Sequence, residues 1–93
     1  MKIYYVYILT NTYRTTFYIG VTNHLLRRIT EHHENKGSTY TKKYKIHALV
    51  YYEEYTSITE AIQREKQLKN WRREWKINLI QSMNPTLKDL DIF

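Results

Sequence analysis

Tyr4-Tyr5-Val6-Tyr7-Ile8-Leu9 and Phe17-Tyr18-Ile19-Gly20-Val21 are the two runs whose reading decides the fold. Both are crowded with β-branched and aromatic residues, and Thr10-Asn11-Thr12 between them supplies turn chemistry, so the stretch from Tyr5 to Gly20 reads as a β-hairpin. A hairpin symmetric about Thr12 and Tyr13 sets Tyr7 opposite Tyr18, and the period-two alternation of strands then puts both phenols on one face. Gly20 reads as a strand position where a side chain would obstruct the close approach of another backbone or of a ligand.

Beyond the hairpin, Thr22 or Asn23 can cap a helix running to about Asn35, with a basic last turn and a glycine stop at Lys36-Gly37. On the helical wheel Leu25, Leu26, Ile29 and His33 form its apolar stripe. Arg28 and His32 share one flank, and Arg27 and Glu31 face solvent. Residues 36–45 read as a polar basic loop. Its Lys36, Lys42, Lys43 and Lys45 suit phosphate contacts, and its tyrosines suit stacking on an unpaired base. Residues 48–55, Ala-Leu-Val-Tyr-Tyr-Glu-Glu-Tyr, read as a third strand reached by a helical crossover.

Ser57 and Glu60 make a capping-box pattern opening a helix from Ile58 to about Trp71. The wheel places Glu65 among Ile58, Ala61, Ile62, Leu68 and Arg72, in the buried stripe. A carboxylate there is costly unless it meets an arginine or holds a cation. A last helix ends near Ser82, stopped by Asn84-Pro85, with Leu87, Leu90, Ile92 and Phe93 packing back as a tail. Trp71 and Trp75 read most simply as core, while Lys66, Lys69, Arg72, Arg73 and Lys76 concentrate positive charge along this part of the chain. The expected architecture is one α/β domain over residues 1–93, a small, mainly antiparallel three-stranded sheet flanked by helices in the order β-β-α-β-α-α.

Composition narrows the function. Ninety-three residues, 42% hydrophobic, suit one modest core. Without cysteine there is no disulfide, thiolate zinc site or thiol nucleophile. No apolar run approaches a membrane span, which together with the missing cysteine gives the expectation of a cytoplasmic protein. Lys and Arg number 15 against 9 Asp and Glu, a net charge of +6 that favours a polyanionic partner, nucleic acid above all.

Taken singly, Tyr7 and Tyr18 are ordinary packed strand residues and Arg28 and His32 ordinary helix decoration. Taken together and in order, the residues resemble the GIY-YIG nuclease domain, whose signature is two tripeptides on neighbouring strands. Tyr5-Val6-Tyr7 stands in the first slot and Tyr18-Ile19-Gly20 in the second. The first departs from the pattern at Tyr5 and Val6 but keeps its closing Tyr7. Arg28 followed by His32, Glu65 within Arg64-Glu65-Lys66-Gln67-Leu68-Lys69, and a late asparagine complete the resemblance, which is closest to small free-standing bacterial members. The asparagine is assigned to Asn84, although Asn78 lies nearer the expected distance from Glu65.

The resemblance implies metal-assisted hydrolysis of DNA phosphodiesters, with one Mg²⁺ or Mn²⁺ held by Glu65 and phosphate oxygens. It implies Tyr7 as general base, with a pKa lowered by a nearby cation, and His32 as the group that takes or positions its proton. Arg28 would stabilise phosphoryl charge and Tyr18 would orient water or phosphate, with Asn84 in the catalytic set. Lys36, Lys42, Lys43, Lys45, Lys69, Arg72 and Arg73 are the expected nucleic-acid contacts. His24, His33 and His47 stand outside any site. The expected substrate is DNA, the branched or damaged forms met in repair or recombination among the candidates, with either low intrinsic sequence specificity or a partner protein that delivers the domain to its site. The competing readings are a non-cleaving nucleic-acid-binding module of the same fold and a protein-interaction domain.

Overall fold

Tyr4–Thr10 forms β1, the middle strand of a three-stranded sheet, and Phe17–Thr22 forms β2 beside it. The computed structural model describes residues 2–34 and 39–90, without the side chains of residues 39 and 40. The expected helix stop at Lys36-Gly37 and the tail residues Ile92 and Phe93 lie outside them. Leu25–His33 is α1, Thr39–Lys43 is α2, Ala48–Tyr55 is β3, Ile58–Lys69 is α3 and Arg73–Met83 is α4. The sheet order is β2-β1-β3, and both pairings are antiparallel. The expected α/β architecture therefore holds, with α2 added where a basic loop was expected.

The hairpin register differs from the symmetric one. Tyr7 pairs with Gly20, and Tyr18 pairs with Leu9. The cause is the connection, residues 11–16, which Asn11 organises: its side-chain oxygen accepts from the amides of Thr15 at 2.9 Å and Thr16 at 3.3 Å, and Arg14 adopts φ 57°. The slip is of two residues, so alternation keeps Tyr7 and Tyr18 on the same face.

Val6, Tyr7, Ile8 and Leu9 are all buried because both faces of β1 are covered. On one face Val6, Ile8, Ile19, Val50 and Tyr51 pack with Ala61, Leu68 and Ile80 of α3 and α4. On the other, Tyr7, Leu9 and Leu49 pack with Leu25 and Ile29 of α1 and with Ile46. A bulge makes this sharing work: Ile8 pairs with Tyr51 and Leu9 with Leu49, leaving Val50 as the extra residue.

The helices correct the wheel readings. The buried side of α1 is Leu25, Ile29 and His32, spaced i, i+4, i+7, whereas Leu26 and His33 are exposed. Its N-cap is His24, with Thr22 bonding the His24 amide at 3.1 Å. On α3 only Ala61 and Leu68 are buried, and Ile58 and Ile62 lie open. Ser57 caps α3 by accepting from the Glu60 amide. Trp75 is about half exposed, with the Arg72 guanidinium over its ring, so it is not core. No described helix is long and apolar enough to cross a membrane.

Candidate active site

Four elements bring five side chains together. β1 supplies Tyr7, β2 supplies Tyr18, and α1 turns His32 down onto both: the ring centres lie 6.4 Å apart for Tyr7 and Tyr18, 6.4 Å for Tyr7 and His32, and 5.8 Å for Tyr18 and His32. Arg28, one turn before His32, and Glu65 on α3 both act electrostatically on the Tyr7 phenol. The tyrosines share a patch because of strand alternation, and His32 joins them because it continues the buried stripe of α1.

Gly20 is what allows Tyr7 to lie as it does. A Cβ on Gly20 would overlap the Tyr7 hydroxyl and the ring carbon that bears it, so the object approaching this strand position is the phenol itself. Tyr7 is consequently 2% exposed. Burial, reinforced by Tyr18 and by the Glu65 and Glu31 carboxylates, pushes its pKa well above the phenol range. Arg28 pulls the other way but is outweighed. The expected lowering thus exists as a contribution from Arg28, and the net shift is the reverse.

His32 is 4% exposed, and among the described residues neither ring nitrogen has a hydrogen-bond partner. Burial and the positive charge of Arg28 lower its pKa, against the pull of Glu31, so the ring is neutral at neutral pH. A buried neutral imidazole with both nitrogens unsatisfied is costly in a purely structural position and useful as a proton acceptor.

Glu31 was expected to face solvent. Instead one of its carboxylate oxygens is buried, 3.7 Å from the Arg27 Nε and 4.0 Å from an Arg28 terminal nitrogen. Its i, i+3 spacing from Arg28 is the signal that could have found it. Glu65 is half-withdrawn, its side chain 17% exposed, and it pairs with the exposed Lys69 ammonium at 3.6 Å. The arginines near it are engaged elsewhere: Arg64 clamps Glu53, and Arg72 stacks on Trp75.

Among the described residues no three His, Asp or Glu side chains converge as a metal cage. The donor set nevertheless fits an ion that takes one carboxylate, keeps waters and binds phosphate, as Mg²⁺ and Mn²⁺ do, and Glu65 is the residue that would hold it. An i, i+4 pair with an exposed lysine is weak enough for such an ion to displace.

Asn84 is built into the tail instead. Its buried carboxamide donates to the Val50 carbonyl at 3.0 Å and the Lys88 carbonyl at 2.7 Å and accepts from the Lys88 amide at 3.2 Å, which uses both of its N–H groups. Arg73 is committed to the hairpin loop, donating to the carbonyls of Thr15 at 2.6 Å and Arg14 at 3.2 Å beside the Phe17 ring. Lys43 lies over the Tyr44 ring, and Lys42 and Lys45 line a cavity with His33 and His47. Lys36 lies outside the described residues.

The family model for the GIY-YIG catalytic domain matches residues 3–78. That span holds Tyr7, Tyr18, Arg28, His32 and Glu65 and stops short of Asn84. A UPF0213 protein of Staphylococcus haemolyticus is 36% identical over 81 residues, covering 87% of this chain and 98% of that one. A UPF0213 protein of Bacillus pumilus is 35% identical over 68 residues, covering 73% and 69%. The solution NMR structure of a UPF0213 protein from Bacillus halodurans superposes with a TM-score of 0.59 at 30% identity, covering 94% of this chain and 92% of that one. With the family model running from the first strand into the last helix, the chain belongs to the GIY-YIG family.

Proposed function

We propose that the protein is a divalent-metal-dependent endonuclease that hydrolyses DNA phosphodiester bonds, and that Tyr7, Tyr18, Arg28, His32 and Glu65 carry the reaction. The observation that carries this reading is His32: a buried imidazole, neutral and without a hydrogen-bond partner at either nitrogen among the described residues, facing two tyrosine rings within 6.4 Å. Packing alone gives no reason for an unsatisfied base at that place.

Arg28 binds the phosphoryl oxygens and balances the charge that grows on them as water adds to phosphorus. The proton lost by that water passes to the Tyr7 oxygen while the Tyr7 hydroxyl proton passes to His32, so the phenol relays a proton without a standing phenolate. That route suits a tyrosine whose pKa is raised, because the phenolate is the expensive species. The phosphorus bond to the leaving sugar oxygen then breaks, that oxygen keeping the electron pair and taking a proton from solvent, while His32 gives its proton up to solvent. Tyr18 orients the water or the phosphate. A divalent ion at Glu65 would supply Lewis-acid charge to the phosphate oxygens.

The test is cleavage of labelled duplex, single-stranded, flap and four-way-junction DNA with Mg²⁺, Mn²⁺ or EDTA, comparing wild type with Tyr7→Phe and Glu65→Ala. Cutting that needs the metal and falls about 10²–10⁴-fold in each variant is the expected result. Preferential cutting of the flap or junction would support a role in repair or recombination. Binding without cutting would leave a nucleic-acid-binding module of the same fold.

A further inference from the structure

His33 follows His32 on α1 but faces a different space. Neighbouring helical positions diverge by about 100°, so α1 hands one imidazole to the tyrosine site and the next to a separate cavity of about 550 Å³, lined by Thr12, His33, Lys42, Lys45 and His47. The lining comes from the hairpin loop, the end of α1 and the connection from α2 to β3. Among the described residues it offers two ammonium groups, two imidazoles and a hydroxyl, and no carboxylate.

The cavity wall is fixed by its backbone. Lys45 holds the left-handed conformation, φ 54°, which a lysine keeps only where its surroundings impose it. The Lys45 amide bonds to the Lys42 carbonyl at 3.3 Å, and the next amide, of the buried Ile46, bonds to the carbonyl of the buried Thr41 at 2.9 Å. Both lysines are thereby carried on one closed turn. His47 is tied to the hairpin twice: its amide donates to the Thr10 carbonyl at 3.1 Å, and its Nε2 lies 3.3 Å from the Thr12 hydroxyl. The His33 ring meets it edge-on at 6.3 Å. Cationic and neutral N–H donors converging without an acid are the chemistry of a phosphate site.

We propose that this cavity is a phosphate subsite, binding a backbone phosphate of the nucleic-acid strand a nucleotide or two from the one gripped by Arg28, and so setting the strand's path across α1. The inference rests on the nuclease reading above. The spacing agrees: Arg28 and His33 stand five positions apart on α1, about 7.5 Å along its axis, and a nucleic-acid strand carries a phosphate about every 3.4 Å of axis.

The test measures binding of a labelled DNA duplex in EDTA, from 50 to 200 mM salt, by wild type, Lys42→Ala/Lys45→Ala and a control, Lys2→Ala/Lys88→Ala. Alongside, the imidazole NMR signals of wild type and the cavity variant are followed during titration with inorganic phosphate. The cavity variant is expected to bind about tenfold more weakly at 50 mM salt, with a log–log salt slope shallower by about 2, and the control to change by less than half of that. Phosphate is expected to move the His33 and His47 signals in wild type and not in the variant. If wild type binds DNA and the two double variants weaken alike, the subsite is wrong and the nuclease reading stands. If wild type binds no DNA, the nuclease reading fails and the subsite with it, even if phosphate still moves the two histidines, because the anion would then belong to another ligand.

Discussion

Gly20 and Tyr7 pair directly across β1 and β2, and the phenol occupies the space that a side chain on Gly20 would need. Gly20→Ala is therefore expected to push the Tyr7 ring from its place, costing about 1–3 kcal/mol by overpacking and lowering cleavage at least as far as Tyr7→Phe does. Urea unfolding and cleavage assays measure the two effects. Placing Gly20→Ala in a Tyr7→Leu background should return most of the stability loss, since the overlapping atoms are gone. A loss of equal size in both backgrounds would show that the clash is not with Tyr7.

His32 makes stability depend on mild acid. Its pKa in the folded protein is lowered by burial and by Arg28, whereas the unfolded chain returns it to about 6.5. Below about pH 6.5 the unfolded state binds the proton first, so the contribution of the neutral ring is fully present above that pH and is lost as pH falls through the folded value. The slope reaches at most about 1.4 kcal/mol per pH unit for one proton. Urea midpoints measured from pH 7.5 to 5 should fall more steeply for wild type than for His32→Leu, which should also be inactive. Identical slopes would remove His32 from this account. Cleavage should show an acid limb for the same reason, because the protonated ring accepts nothing.

The parts of this protein that follow a short local period were legible. The alternation in β1 and β2 put Tyr7 and Tyr18 on one face, and β3 spans residues 48–55 as its aromatic run suggested. The register was not, because Asn11 ties up the loop through its side chain and no period encodes that. Two stripe readings went astray for a common reason: a wheel ranks residues by hydropathy, but His32 is the residue of α1 that the tyrosines cover, and α3 buries only Ala61 and Leu68 against the sheet. The cavity of Thr12, His33, Lys42, Lys45 and His47 draws on positions far apart in the chain, so no spacing could announce it.

Arg64 stands next to Glu65 and sets how α3 faces the sheet. Its guanidinium grips both oxygens of Glu53 at 2.9 Å, and the same carboxylate accepts from the hydroxyls of Tyr51 and Tyr55. Burial alone would raise the Glu53 pKa, but the bonds from Arg64 and the two tyrosines hold it below the usual carboxylate range. Its contribution is thus present above about pH 4.5 and is lost as pH falls through the folded value. Arg64→Met, which leaves the carboxylate without its cation, should cost about 2–4 kcal/mol. It should also reduce cleavage in the fraction that remains folded, since Glu65 loses the anchor beside it. Full turnover by the folded Arg64→Met protein would show that Glu65 is oriented without the clamp.

Asn84 separates a tail function from a catalytic one. Its carboxamide joins β3 to the tail through Val50 and Lys88, and its amide closes α4 on the Ile80 carbonyl at 2.8 Å. Asn84→Ala should leave the buried carbonyl of Val50 and the Lys88 amide without partners, at about 1–3 kcal/mol for the group most deeply buried. The variant should melt earlier yet cleave at nearly the wild-type rate per folded molecule when assayed well below its melting temperature. Asn78 is exposed on α4, and its change to alanine should move stability by less than about 0.5 kcal/mol. If instead Asn84→Ala kept its stability and lost cleavage 100-fold or more, the carboxamide would have to leave the tail to act on the phosphate. The site would then include a rearranged C-terminal segment.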